Sequence, residues 1–425
     1  MASSPEPTSN ADSANLDVGA VDAASGIEHE LRVLRDERDA AQRQLRRVQR
    51  SAPYRVGQAM TWLPRKLKNA PRALRRLRAE RRSASKRSLP ETSAPEAPRY
   101  FVAAGPRPTP ERVATPDVSV VIPVYNSEPW LDDCLSSVLA QTGITVEVIC
   151  INDGSTDQSR HVLQRYADED PRLSIIDQPN SGQSVGRNAG LDVAAGRYLV
   201  YLDSDDFWPG DTLKTLVSKA DEEHLDVLLF DCFAFRDGDV SSATWARYST
   251  YYQRSREYDL VRPGAEMMAD MRRHRDYRPH VGMYIARTDY VRRSGARFIP
   301  GIVHQDNPYT FALLLGAERT AHVKSDIYAR RIRPGSTITT LDDERSAKGY
   351  YLSYVAMTRE VDGRTFSPYV TDMLSEVVYG VFEGAQKRIT VLPAGAITLL
   401  KSLDGSLDAQ IALRAMMSAR GRSRG

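Results

Sequence analysis

The sequence predicts an α/β protein built on a mostly parallel sheet with helices on both faces. Three observations carry this reading. Short β-branched runs alternate with stretches of helical apolar periodicity from residue 117 onward, and polar, glycine-containing clusters punctuate the ends of those runs. The 425 residues are 41% apolar and 27% charged, as in a soluble globular protein. At roughly 100 to 200 residues per domain the length allows about two to four domains. No apolar run approaches the roughly 18 residues needed to span a bilayer.

Residues 1–25 read as a disordered tail. Met1 to Asp22 is polar and mildly acidic, without the pattern of a signal peptide, so export is not expected. The three cysteines, Cys134, Cys150 and Cys232, are odd in number and far apart, which argues for a reducing compartment and against a disulfide framework or a zinc site. Over residues 26–50, Ile27, Leu31, Leu34, Ala41, Leu45 and Val48 fall on steps of four and three, with Arg38 in one seam position. That is a short coiled coil able to join two copies of the chain, or a single amphipathic helix.

Residues 51–87 hold twelve Lys or Arg against one acid, Glu80, in a chain of net charge +3. Such a block seeks a polyanion. Its apolar residues, among them Met60, Trp62, Leu63, Leu67 and Leu74, form short amphipathic pieces broken near Pro64 and Pro71, a pattern suited to lying on an anionic membrane. A solvated linker has the same composition; no nucleic-acid partner is expected. Residues 88–116, rich in Ser, Pro and Ala, are a linker.

The α/β pattern occupies 117–340. Val118 to Val124 is a buried strand, followed by a helix through Leu131, Leu135, Val138 and Leu139, with Ser127 as its expected N-cap. Thr145 to Ile151 is a second strand ending in Asn152-Asp153-Gly154-Ser155, before a helix through Val162, Leu163 and Tyr166. A strand at Leu173 to Ile176, a helix containing Val185 and Leu191, and a strand at Tyr198 to Leu202 follow. Residues 341–425, with Tyr350, Tyr351, Tyr354, Leu374, Val377 and Val378, read as helices.

In a parallel sheet with helices on both faces, ligands bind beyond the carboxyl ends of the strands. Asp203-Ser204-Asp205-Asp206 stands at one such end. Two carboxylates at alternate positions offer hard oxygen ligands to a divalent ion whose open positions accept phosphate oxygens, although an Asp-x-Asp by itself also forms ordinary turns and caps. Asn180 to Gly190 is a glycine-punctuated helix entry, with Gly182 at its start and Arg187 one turn in, suited to a diphosphate or to tight packing on the sheet. A dinucleotide fold would need Gly-x-Gly-x-x-Gly after the first strand, where this chain has Pro123-Val124-Tyr125-Asn126-Ser127.

Taken together, Val120 to Asn126, Asn152 to Asp157, Gly186-Arg187-Asn188-Ala189-Gly190 and Asp203 to Asp206 resemble, in order and spacing, the family 2 inverting glycosyltransferases of GT-A fold that build bacterial cell-wall, capsule and teichoic-acid-type glycans. The resemblance is strong over about Asp117 to Gly210, extends to about Thr340, and is absent from the first hundred residues. It implies that Pro123, Tyr125, Asn126 and Asp153 hold the base and ribose of a nucleotide-diphosphate sugar, and that Gly182, Arg187 and Asn188 line the same pocket. Asp205 would bind Mn2+ or Mg2+ on the diphosphate. Asp203 would contact ribose or metal, with Ser204 between the two on the donor.

The resemblance also implies a downstream catalytic carboxylate, for which Asp306 in Phe298 to Asn307 is the candidate. Gln305 stands where the family usually has Glu. Arg331 or Arg333, with Ser336, resembles the segment that closes over the donor phosphates in polymer-modifying members. His304 is expected to neighbour the acceptor or to be a satisfied polar residue. The implied activity is inverting, non-processive transfer from a UDP-sugar to a glycan or lipid-linked acceptor at the cytoplasmic membrane face. Nucleotidyl transfer, and an inactive membrane-recruited interaction protein of the same fold, stay open as alternatives.

Overall fold

The computed structural model describes residues 115–336 and 342–418. The expected tail, coiled coil, basic segment and most of the linker lie outside the described residues.

The sheet begins with β1 (Val118–Val124), every residue of which is buried, as expected of a central strand covered on both faces. It pairs in parallel with β2 (Val146–Asp153), which pairs with β3 (Leu173–Gln178). On its other side β1 pairs with β4 (Tyr198–Tyr201). The full order is β3-β2-β1-β4-β6-β5-β7, with β5 at Val227–Arg236, β6 at Tyr284–Arg287 and β7 at Thr320–Ile332. Only β6 runs antiparallel to its neighbours, making the sheet mixed and mostly parallel.

Helices α1 (Glu128–Leu139), α2 (Ser159–Glu169) and α4 (Leu213–Glu222) pack one face of the sheet around Leu131, Leu135, Val138, Leu163 and Leu216. The other face carries α3 (Gln183–Val193), α6 (Gly264–Arg273) and α8 (Asp306–Leu315), where Leu191, Met267, Met268, Phe311 and Leu314 meet Val121, Ile149 and Leu229. Short helices α5 (Ser242–Tyr248) and α7 (Thr288–Ser294) complete this part. All three cysteines are free and buried.

Four helices follow: α9 (Asp343–Val361), α10 (Pro368–Ile389), α11 (Ala394–Leu403) and α12 (Leu407–Met417). Val370, Leu374, Val377 and Val381 of α10 enter the same apolar cluster as α6 and α8. The inner face of α9, with Tyr351 and Val355, shares a separate cluster with α11 and α12.

Two local expectations change. β2 runs to Asp153, so Asn152 and Asp153 belong to the strand rather than to the turn after it. Ser127 sits at the N-cap position of α1, but its hydroxyl does not cap the helix. It is buried and hydrogen-bonds Ser204 Oγ at 2.7 Å instead, tying the exit of β1 to that of β4.

Gly190 lets α3 lie directly on β1, since a Cβ there would overlap the side chain of Val121. Val121 belongs to a central strand and has nowhere to move. Gly190→Ala is therefore expected to lower stability by about 1 to 3 kcal/mol, read as a lower denaturant midpoint with an unchanged m-value.

Candidate active site

The carboxyl ends of β1, β2 and β4 open into one cleft of about 1200 Å³. Its floor is assembled by backbone-fixed polar groups. Asn126, held at a left-handed φ of 48°, donates its amide to Ser155 Oγ and accepts from the Thr156 amide, which laces the exits of β1 and β2 together. Asp153 accepts from Gln178 Nε2 and from the amides of Ser181 and Gly182, at 2.7 to 2.8 Å. This carboxylate thus sets the glycine loop that starts α3. Tyr125 lines the same cleft and is 48% exposed, leaving its ring open to solvent.

Arg187, 1% exposed, is the charged centre of the site. One nitrogen donates to Asp203 Oδ1 at 2.6 Å, another lies 3.5 Å from Asp306 Oδ1, and the guanidinium rests 5.2 Å from the centroid of Phe298. Asp203 is also paired with Arg330 at 2.5 Å, so two arginines hold its carboxyl well below the usual carboxylate range. Asp306 is the first residue of α8 and a quarter exposed. Burial pushes its carboxyl up to about 6, with the Arg187 charge pulling the other way and Asp203 adding to the rise. Its Oδ1 has no hydrogen-bond partner among the described residues.

The acidic motif is braced from behind by β7. Asp206 is fully buried and accepts from Tyr328 Oη, Arg330 and the Arg331 amide. Burial, then the neighbouring Asp205 and Asp203, raises its carboxyl to about 7. One oxygen from each of Asp203, Asp205 and Asp206 lies within 4.8 Å of the others. Asp203 and Asp205 line the cleft and Asp206 does not, so the first two would be the ligands and Asp206 their support. Clustered carboxylate oxygens with no nitrogen or sulfur donor fit Mn2+ or Mg2+. Asp205 Oδ2 is 2.9 Å from Arg333, whose guanidinium lies 3.7 Å above Trp130.

Twelve expected site residues line this cleft: Pro123, Tyr125, Asn126, Asp153, Gly182, Arg187, Asp203, Ser204, Asp205, Asp306, Arg333 and Ser336. Asn188 and Arg331 do not. The Asn188 side chain clamps the backbone of Phe298 through two hydrogen bonds, of 2.9 and 3.0 Å, and so steadies the loop leading to Asp306. Arg331 points to the opposite side of β7, pairing with Asp133 and Asp237 and donating to the Asp205 carbonyl. Arg330 faces the cleft instead, on the same side of β7 as Tyr328. Two-residue alternation along a strand at 320–332 carries that information, but only once the segment is recognised as a strand. His280, which burial holds down at about 3, also lines the cleft and has no motif to announce it.

The profile of the family described as Glycosyl transferase family 2 matches residues 119–275, from β1 through α6. The uncharacterized glycosyltransferase YibD of Escherichia coli is 30% identical over 247 residues, 58% of this chain and 70% of its own length. The uncharacterized glycosyltransferase EpsJ of Bacillus subtilis is 29% identical over 224 residues, 52% of this chain and 62% of its own. The crystal structure of S. aureus TarS residues 1–349 in complex with UDP-GlcNAc has the same fold, with a TM-score of 0.51 at 19% identity over 72% of this chain and 92% of that one. The expected GT-A architecture is thus present, and with a 30% relative matched over most of its length the chain belongs to glycosyl transferase family 2, as a nucleotide-sugar-dependent glycosyltransferase.

Proposed function

We propose that the chain transfers a sugar, with inversion and with the help of a divalent metal, from a UDP-sugar to a hydroxyl of a cell-envelope glycan or lipid-linked acceptor. The observation that carries the mechanism is the buried oxygen of Asp306, which has no hydrogen-bond partner among the described residues and lies one guanidinium away from the acidic motif.

Asp306 takes the proton of the acceptor hydroxyl. The hydroxyl oxygen bonds to the anomeric carbon from the face opposite the diphosphate. The bond from that carbon to the phosphate oxygen breaks, and its electron pair leaves with the nucleoside diphosphate. A carboxyl near 6 is basic enough to accept a proton and mostly ionised at neutral pH. Arg187 keeps Asp306 aimed and balances its charge. Tyr125 would stack the base, Asp153 with its loop would shape the ribose pocket, and Arg333 and Ser336 would face the departing phosphates. Asp203 and Asp205 would hold Mn2+ or Mg2+, which when bound supplies positive charge to the leaving diphosphate.

Placement at the cytoplasmic membrane face is supported by the basic amphipathic composition of 51–87, and self-association by the heptad pattern of 26–50. Among the described residues no helix is long and apolar enough to cross a membrane.

The test is a panel of nucleotide-diphosphate sugars with manganese or with chelator, read by thermal shift and by release of nucleoside diphosphate. A donor that stabilises the chain only with metal and is slowly hydrolysed is expected; no response from any donor would sink the reading. Asp306→Asn should preserve the donor-induced shift and lower transfer by about 10² to 10⁴-fold. Asp205→Ala should lose the metal-dependent part of the shift. With metal saturating, log kcat/KM should rise with unit slope up to about pH 6 and then level off, because the base works deprotonated. A profile flat from pH 4.5 to 7.5 would remove Asp306 from that role. An α-linked donor should yield a β-linked product by NMR.

A further inference from the structure

The cations of the cleft fall into two groups. Arg187, Arg330 and Arg333 are each paired with a carboxylate of the acidic motif. Arg247 at the end of α5, Arg345 and Lys348 on α9, and Arg388 on α10 line the same cleft, and none forms an ion pair with a carboxylate among the described residues. Three elements distant in sequence thus deliver to one opening four positive charges that have no carboxylate partner among the described residues. Asp343 is the single carboxylate that the C-terminal helices add to the lining.

These charges surround a rigid aromatic surface next to the catalytic carboxylate. His304, two residues before Asp306, is held at a left-handed φ of 62°, stacks on Tyr350 at 4.0 Å, and bonds Ser346 Oγ at 2.7 Å through Nε2. The Arg388 guanidinium lies 4.8 Å from the centroid of Tyr350. Burial, then the charges of Arg388 and Arg247, hold the His304 imidazole down at about 4, so the ring is neutral and both arginines are near it. Tyr251, 40% exposed, lines the same opening. Backbone strain at a non-glycine residue persists where surrounding contacts enforce it, and here they fix an aromatic wall beside the base.

We propose that this part of the cleft is the acceptor subsite, and that it takes a glycan bearing anionic groups, phosphodiester or carboxylate, whose sugar rings lie on the His304, Tyr350 and Tyr251 surface while Arg247, Arg345, Lys348 and Arg388 neutralise its charges. This rests on the transferase reading above. Sugar rings favour aromatic faces, and unpaired guanidinium and ammonium groups lining a cavity favour an anion. A bilayer surface is flat and cannot follow these charges into a concave site, which favours a soluble or extended polymer over a lipid headgroup.

The test uses the full chain in equilibrium titrations at low ionic strength with three probes: a glycerol-phosphate hexamer, a hyaluronan hexasaccharide and the neutral cellohexaose. At least one anionic probe is expected to bind about tenfold or more tightly than cellohexaose, and which one does so distinguishes phosphate from carboxylate. Arg247→Glu combined with Arg345→Glu, both at exposed positions, should weaken that binding by about tenfold or more, whereas Lys401→Glu, outside the cleft, should leave it unchanged. Arg345→Gln with Lys348→Gln keeps the test open should the reversals unfold the chain. Equal binding of cellohexaose, indifference to the cleft variants, or an equal loss in Lys401→Glu would overturn the proposal. So would a loss confined to sedimentation with phosphatidylglycerol vesicles. Donor thermal shifts on the same preparations separate the two readings. If a donor binds and the charge changes do nothing, only the acceptor inference fails, whereas if no donor binds, the transferase reading itself falls.

Discussion

A guanidinium buried without counter-charges would be untenable, and the site is organised around the one at Arg187. With 1% of its surface exposed, it needs the carboxylate of Asp203 on one side, and it has that of Asp306 on the other and the ring face of Phe298 beside it. Those partners come from three places: the end of β4, the start of α8, and the loop that Asn188 clamps. One buried cation therefore couples the acidic motif to Asp306. It can be placed there only because Gly190, one turn further along α3, lets the helix close onto β1.

The acidic motif poses the opposite problem, three carboxylates crowded within a few ångströms. β7 answers it with alternating side chains. Tyr328 and Arg330 reach Asp206 and Asp203 from one face, while Arg331 turns to the other, donates its amide to Asp206, and ties the Asp205 carbonyl to Asp133 and Asp237. Asp206 belongs to this scaffold, which leaves Asp203 and Asp205 facing the cleft. The division of labour among neighbouring aspartates is thus set by a strand more than a hundred residues downstream.

That distance explains what could be read from the chain and what could not. Strand-length apolar runs, and polar clusters at their carboxyl ends, are local patterns, so β1 to β4 and the placing of Asp153, Arg187 and Asp205 at the cleft were legible. Arg330 was not, because choosing between adjacent arginines requires knowing the phase of β7. Asn188 directly follows Arg187, which lines the cleft, and its use as a backbone clamp depends on a loop more than a hundred residues away. Ser127 has the letter of a helix cap, yet the nearby Ser204 hydroxyl competes for it at 2.7 Å. The cations of the cleft mouth carry no motif at all, and they become a group only when α5, α9 and α10 meet.

The C-terminal helices, which have no motif of their own, are consequently part of the site. At Gly349 the backbone of α9 approaches the Val303 carbonyl so closely that any Cβ would collide with it. The contact presses α9 against the loop that carries His304 and leads into Asp306 at the start of α8, and Ser346 and Tyr350 on the same helix hold the His304 ring. α10 in turn packs on α6 and α8 through Val370, Leu374 and Val377. The position of Asp306 therefore depends on packing supplied after the sheet is complete. A chain truncated after β7 would retain Asp203, Asp205 and their arginines while losing Arg345, Lys348, Tyr350 and Arg388 from the lining of the cleft.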